Sequence, residues 1–196
     1  MKIKLLIAFA LAATVLLFPS DSFACACCAD AGFYSISSRK PNNQELGELK
    51  KIQFTTANIY TTPAYPENVK GINPLSESYT LVGLLQGSAW KLNFKDGKEK
   101  SGILNLTKPV SMVAYMTDLH EGADNGLGVK LYKEWRFKYK VSSGTGIFQK
   151  GIAPATEYFL VLQGRGNACT SAADFTNWRL EITGKKASYA FYGKLK

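Results

Sequence analysis

Trp135-Arg136-Phe137-Lys138-Tyr139-Lys140-Val141 alternates an apolar or aromatic residue with a cation along its whole length. Successive side chains of an extended backbone leave on opposite faces, so period two is the mark of a half-buried strand. A helix would scatter the same rings and charges around its circumference. The stretch therefore predicts a strand with Trp135, Phe137 and Tyr139 inward and Arg136, Lys138 and Lys140 outward. A slip of one residue would invert every face, so the alternation also predicts the register.

The same period recurs on both sides of it. Trp90-Lys91-Leu92-Asn93-Phe94, the turn signal Asp96-Gly97 and the apolar return over 101–106 predict a hairpin. Strands are expected over 51–60, 79–86, 110–117, 145–149, 158–163, 178–183 and 187–192, about nine by pattern. Helical periodicity is nearly absent. Asn43 is placed to cap one short turn through Leu46 and Leu49, which Gly47 weakens. Pro63, Pro66 and Pro74 remove amide donors and mark 61–78 as a surface loop. Short strands punctuated by glycine predict an all-β fold, an antiparallel β-sandwich, with a β-barrel as the alternative. The stretch 81–87 echoes 159–164, and each precedes a strand that opens on tryptophan, at Trp90 and at Trp178.

The first residues have another character. Lys2 and Lys4 precede an uncharged apolar run over 5–18, and Ser22-Phe23-Ala24 supplies small residues around a cleavage point. The run is short for a bilayer span. Three segments are expected: a signal peptide over 1–24, a Cys-rich irregular segment over 25–49, and one β domain over 50–196. The expected location is outside the cytoplasm, whether periplasm, cell envelope or extracellular space. No transmembrane span is expected after cleavage. Cleavage after Ala24 would make Cys25 the first residue, so an alternative is a lipoprotein anchored there, although Ser22 and Phe23 fit a lipobox poorly.

Four cysteines carry the sharpest chemical signal. Cys25, Cys27 and Cys28 are clustered, and Cys169 lies far along the chain. In an oxidising compartment disulfides are preferred. Adjacent Cys27 and Cys28 are poorly placed to bridge each other, so Cys169 is expected to pair with one of them. Cys25 and Cys28 have the spacing for a local second bridge. No cofactor is expected on this reading. The alternative is soft-metal binding, Zn or Cu, by Cys25, Cys27 and Cys28, or by Asp118 with the single histidine, His120.

The formal charge is +9, from 24 Lys and Arg against 15 Asp and Glu, which favours anionic partners without naming one. Loss of Lys2, Lys4 and Asp21 with the leader changes this little. Arg136, Lys138 and Lys140, with Arg165 and with Lys130 and Lys133 nearby, form a candidate contact for an anionic polymer or lipid headgroup. A row of like charge is costly unless it is solvated or matched by acids. Nucleic acid is not expected, because the aromatics alternate onto the opposite face from the cations. Catalytic motifs are missing: there is no G-x-S-x-G elbow, and Glu134 and Glu157 are only weak candidates for paired-acid hydrolysis. The reading is an exported binding or accessory module acting through the cation stripe and the loop over 165–177. A metal-dependent envelope protein or enzyme is its alternative.

Overall fold

The computed structural model describes residues 27–60, 69–123 and 128–196. The predicted signal peptide, Cys25 and residues 61–68 of the proline-rich loop lie outside these. Among the described residues there are ten strands: β1 (Tyr34–Arg39), β2 (Thr56–Ile59), β3 (Ser78–Leu84), β4 (Ala89–Lys95), β5 (Ser101–Thr107), β6 (Met112–Ala123), β7 (Val129–Gly146), β8 (Glu157–Gly166), β9 (Phe175–Thr183) and β10 (Ser188–Lys194). One α-helix, α1 (Asn43–Leu49), and a single 3-10 turn (Ala172–Asp174) complete them.

The sheet closes on itself. From one edge of β7 the order runs β5, β4, β3, β2, β10, β9, β8, and β8 then pairs with the other edge of β7. This is an eight-stranded antiparallel barrel with β1 and β6 outside it. The barrel alternative therefore holds and the sandwich is corrected. Alternation within each strand suits either architecture, and only the long-range pairing of β7 with β8 decides between them.

Strand β7 has 18 residues because it serves three neighbours. Its first half pairs with β6, its second half with β5, and 131–140 with β8. The register against β5 shifts between Asn105 and Leu106. That irregularity inserts an extra residue and changes which parity faces inward. Before it the inward residues are Trp135, Phe137 and Val141, and after it Gly144 stands opposite the buried Leu104. A side chain at Gly144 would put its Cβ 2.6 Å from Ile152 Cγ1. Glycine here lets the segment after β7 fold back and set Ile147 and Phe148 into the core. The expected separate strand over 145–149 is thus the end of β7 and a turn.

Side chains fill the interior. Phe94 meets Phe191 at 4.8 Å and Phe148 at 5.0 Å between ring centroids, and Trp90 meets Phe137 at 5.1 Å. Tyr158, Leu160, Leu162, Trp178, Leu180 and Ile182 bring the inner faces of β8 and β9 to the same core. Eight strands enclose a space just wide enough for such filling. Trp135, Phe137, Trp178 and Leu180 are buried as the alternation predicts, Tyr139 is half-buried, and Lys138 and Lys140 are exposed.

The segment over 25–49 is less irregular than expected, since it supplies β1 and α1. Asn42, not Asn43, is the cap: its side chain accepts from Glu45 N, and the Glu45 carboxylate accepts from Asn42 N. This capping box, with the Arg39–Glu45 ion pair, offsets the cost of Gly47. Leu49 and Ile52 then join the core. Strand β2 is shorter than the predicted 51–60, with Phe54 held by an isolated bridge to Leu195. No helix among the described residues is long and apolar enough to cross a membrane.

Trp135→Ala is expected to destabilise the fold by about 3–5 kcal/mol, the usual cost of a large core truncation. Gly144→Val should destabilise by about 1–3 kcal/mol through overpacking against Ile152. Urea unfolding at pH 7 measures both, and wild-type stability in either variant would contradict the assigned inward faces.

Candidate functional site

The interior is packed, so the surface worth examining is the outer face of β1, β6, β7, β8 and β9. The even-numbered residues of β7 point there: Tyr132, Glu134, Arg136, Lys138 and Lys140. Cross-strand register places Tyr115 and Gln163 on either side of Glu134, and Thr117 and Arg165 on either side of Tyr132. Val161 lies between Arg136 and Arg179 and is buried. All four cations assigned to anion contact, Arg136, Lys138, Lys140 and Arg165, therefore share one face, and Arg179 joins them.

Glu134 is the centre of this face and is only 8% exposed. Its carboxylate accepts from the Tyr132 hydroxyl, from Arg136 Nε and from Gln163 Nε2. Burial alone would raise its pKa, but the three donors outweigh burial and hold the carboxyl below its ordinary value. Burial, then the bond to Glu134, pushes the Tyr132 phenol up. The Arg136 guanidinium lies 5.2 Å above the Tyr115 ring centroid. Tyr115 in turn meets Tyr34 edge-on at 5.7 Å and Tyr132 at 6.2 Å. Tyr34 and Ile36 of β1 extend the apolar side outward and are exposed.

The cation stripe is matched by acids. Arg136 pairs with Glu134, Lys138 with Glu157, Arg165 with Glu121 and Arg179 with Glu181. Only Lys140 of these five lacks a carboxylate at ion-pair distance among the described residues. Lys133 is not part of the stripe. It has inward parity, is 2% exposed, and donates to Asp174 Oδ2 and to the Cys169 carbonyl, each at 2.5 Å. A buried ammonium needs such partners, and here they come from the segment after β8. Arg165 likewise lies within β8 rather than in the loop expected over 165–177.

Paired-acid hydrolysis gains nothing from this geometry. Glu134 stands opposite Gln163 and Glu157 opposite Lys140, six residues along the strand or roughly 20 Å. Hydrolytic carboxyl pairs lie within about 10 Å. Glu134 accepts from three donors, and the Tyr132 phenol is pushed up by burial and by its bond to Glu134.

Cys27 and Cys169 form a disulfide, with Cα atoms 4.8 Å apart. Around it the Cys27 carbonyl accepts from Ala168 N at 2.8 Å, and the Ala29 carbonyl from Val129 N at 3.2 Å. The N-terminal segment is thereby stitched to the start of β7 and to the loop that covers Lys133. Asp118 continues the stitching, accepting from Gly32 N and His120 N, each at 2.8 Å. Those two amides hold its carboxyl below the ordinary range. His120 is exposed, with φ of 58°, at the irregular end of β6. Both Asp118 oxygens accept backbone amides, and Cys27 is in the disulfide rather than free as a thiolate ligand. No group of three or more His, Cys, Asp or Glu side chains suited to a metal occurs among the described residues.

Comparison with protein families, with curated proteins and with solved structures finds no match to this chain.

Glu134→Gln is expected to cost about 1–3 kcal/mol at pH 7, because Arg136 and Tyr132 lose a charged acceptor. A carboxyl depressed in the folded state contributes stability that is present above its unfolded pKa of about 4.3 and is lost as pH falls through the folded value. The gap between wild type and variant in urea unfolding should therefore narrow from pH 7 toward pH 3, and a constant gap would refute the assignment. The bridge is expected to appear in non-reducing peptide mapping as a fragment joining Cys27 to Cys169. Closing a span of 142 residues should contribute roughly 5 kcal/mol on the chain-entropy model, lost on reduction.

Proposed function

We propose that this chain is an exported binding protein of the cell envelope or extracellular space, and that it engages an anionic polymer or lipid headgroup with its outer face. The observation that carries the reading is the gathering of Arg136, Lys138, Lys140 and Arg165 on one face, beside the Tyr34–Tyr115–Tyr132 row. Tyrosine and arginine are the side chains that recognition surfaces favour, since they offer contact area and directed donors together. The filled barrel supports the same view, because an interior occupied by Phe94, Phe148 and Phe191 leaves recognition to the exterior.

The ion pairs set the strength of such binding. An exposed pair is worth about 0–1 kcal/mol, so an incoming anion can take the place of Glu157 or Glu121 at small cost. Affinity of this kind is modest and sensitive to salt. Export rests on the charged start, the apolar run and the small residues before Cys25. The Cys27–Cys169 disulfide suits an oxidising compartment.

Lys138→Gln, Lys140→Gln and Arg165→Gln together keep the Glu134 cluster intact. The triple variant should elute earlier than wild type from vesicles rich in anionic phospholipid or from a sulfated-polysaccharide column, with the difference vanishing as salt is raised. Equal retention at low salt would overturn the ligand assignment. Intact mass of the exported protein should begin at Cys25, with an added lipid mass marking a lipoprotein, and retention of residues 1–24 would overturn export.

A further inference from the structure

At the end of the barrel opposite Phe148, helix α1 lies beside the turn between β3 and β4 and leaves a groove of about 650 Å³. Ligand sites occur preferentially in barrel mouths and fall in this size range. Its apolar lining comes from Leu46 on the helix, Leu85 after β3 and Trp90 on β4. Trp90 and Leu85 are core residues, 1% and 3% exposed, so they form a rigid floor, and half-buried Leu46 is the accessible apolar side. Lys50 from the end of α1 and Lys108 from the end of β5 also line it, and no acidic residue does. The Lys108 backbone is held there by its N–H, which donates to the Ser88 carbonyl at 3.0 Å.

The charge here is unbalanced, unlike that of the outer face. The two acids of α1 are committed elsewhere: Glu45 to Arg39 and the helix cap, and Glu48 to Lys51 and the amide of Ala172. Neither Lys50 nor Lys108 has a carboxylate at ion-pair distance among the described residues. Two cations over an apolar wall, with no competing acid, complement a molecule with the opposite arrangement. We propose that this groove is a binding site for an amphiphilic anion, with a carboxylate or phosphate head between Lys50 and Lys108 and an apolar body against Leu46, Leu85 and Trp90. The site is separate from the outer face and does not depend on that assignment.

Gly47 provides the means to test the location. It lines the groove, and a Cβ added there meets nothing within 4 Å, so the Gly47→Leu side chain starts into open space at the groove and the substitution favours the helix. Isothermal titration of the purified mature chain would use decanoate and decyl phosphate below micelle-forming concentrations. Decanol serves as the uncharged control and inorganic phosphate as the tailless one. One or both amphiphiles should bind saturably at one per chain, and the tighter of the two identifies the head group. Decanol should bind at least about tenfold more weakly, and inorganic phosphate not measurably. Lys50→Gln with Lys108→Gln should weaken amphiphile binding at least about tenfold, since both charge-assisted contacts are lost. Gly47→Leu should weaken it similarly, while the Lys138, Lys140 and Arg165 triple variant retains it. Lys50 is exposed at the helix end, so Lys50→Gln alone tests the site should Gly47→Leu not fold. No binding of either amphiphile, equal binding of decanol, or groove variants that bind as wild type would each overturn the proposal.

Discussion

The pairing of β7 with neighbours on both edges is the constraint on which the other features depend. A sheet of this many strands has two free edges unless some strand closes it. Here β7 accepts β5 and β6 in succession along one edge and β8 along the other. Closure sorts the residues into those that must pack inside and those that face out. The pairing of β7 with β5 carries an irregularity at Asn105, where β7 changes which parity faces inward. The glycine at 144 is the local answer to that irregularity.

Closure has a second consequence in the division of labour between odd and even residues of one strand. The odd residues of β7 supply the wall of the core. The even ones supply the outer cluster of Tyr132, Glu134 and Arg136. Any substitution that slipped β7 by one residue would bury three cations and expose two rings together. The outer cluster is therefore held by the same register that fills the barrel, which makes its geometry stiff. Lys133 departs from this partition, an ammonium at an inward position. It is tolerated because it lies under the loop bearing Cys169, where Asp174 and a carbonyl replace its water. The disulfide holds that loop in place, so the covalent bridge and the buried ion pair support each other.

The sequence carried the strands but not their closure. Alternation at 135–141 and the Asp96-Gly97 turn are local signals, and both appear in the structure at the expected positions. Barrel and sandwich share those signals, so choosing between them required a contact between β7 and β8 that no local pattern encodes. Strand β1 escaped for a related reason: Tyr-Ser-Ile-Ser-Ser-Arg is short, rich in serine and exposed at a sheet edge, so its alternation is weak. At the site, the basic stripe was readable as a row, and its neutralisation was half-readable, since Glu134 occupies the same parity as Arg136. Glu181 likewise shares parity with Arg179 two residues before it on β9, whereas Glu157 and Glu121 reach their partners across strands, and Tyr115 arrives through the pairing of β6. The Cys169 bridge was narrowed to two partners by chain geometry, and the fold selected Cys27.

Net charge is a poor guide to where a basic protein binds, and the two surfaces here show why. The outer face holds the most conspicuous cations, yet four of its five are met by carboxylates on the same face. The field it projects is that of dipoles, which falls off faster than that of isolated charges and is damped further by salt. The groove beside α1 holds only two cations, but the acids of its own helix are turned toward Arg39, Lys51 and Ala172. Its lysines therefore have no carboxylate at ion-pair distance among the described residues, and they stand beside an apolar lining. Attraction by the outer face is thus expected to be broad and weak. The groove concentrates its preference on a ligand that answers both the charge and the apolar wall.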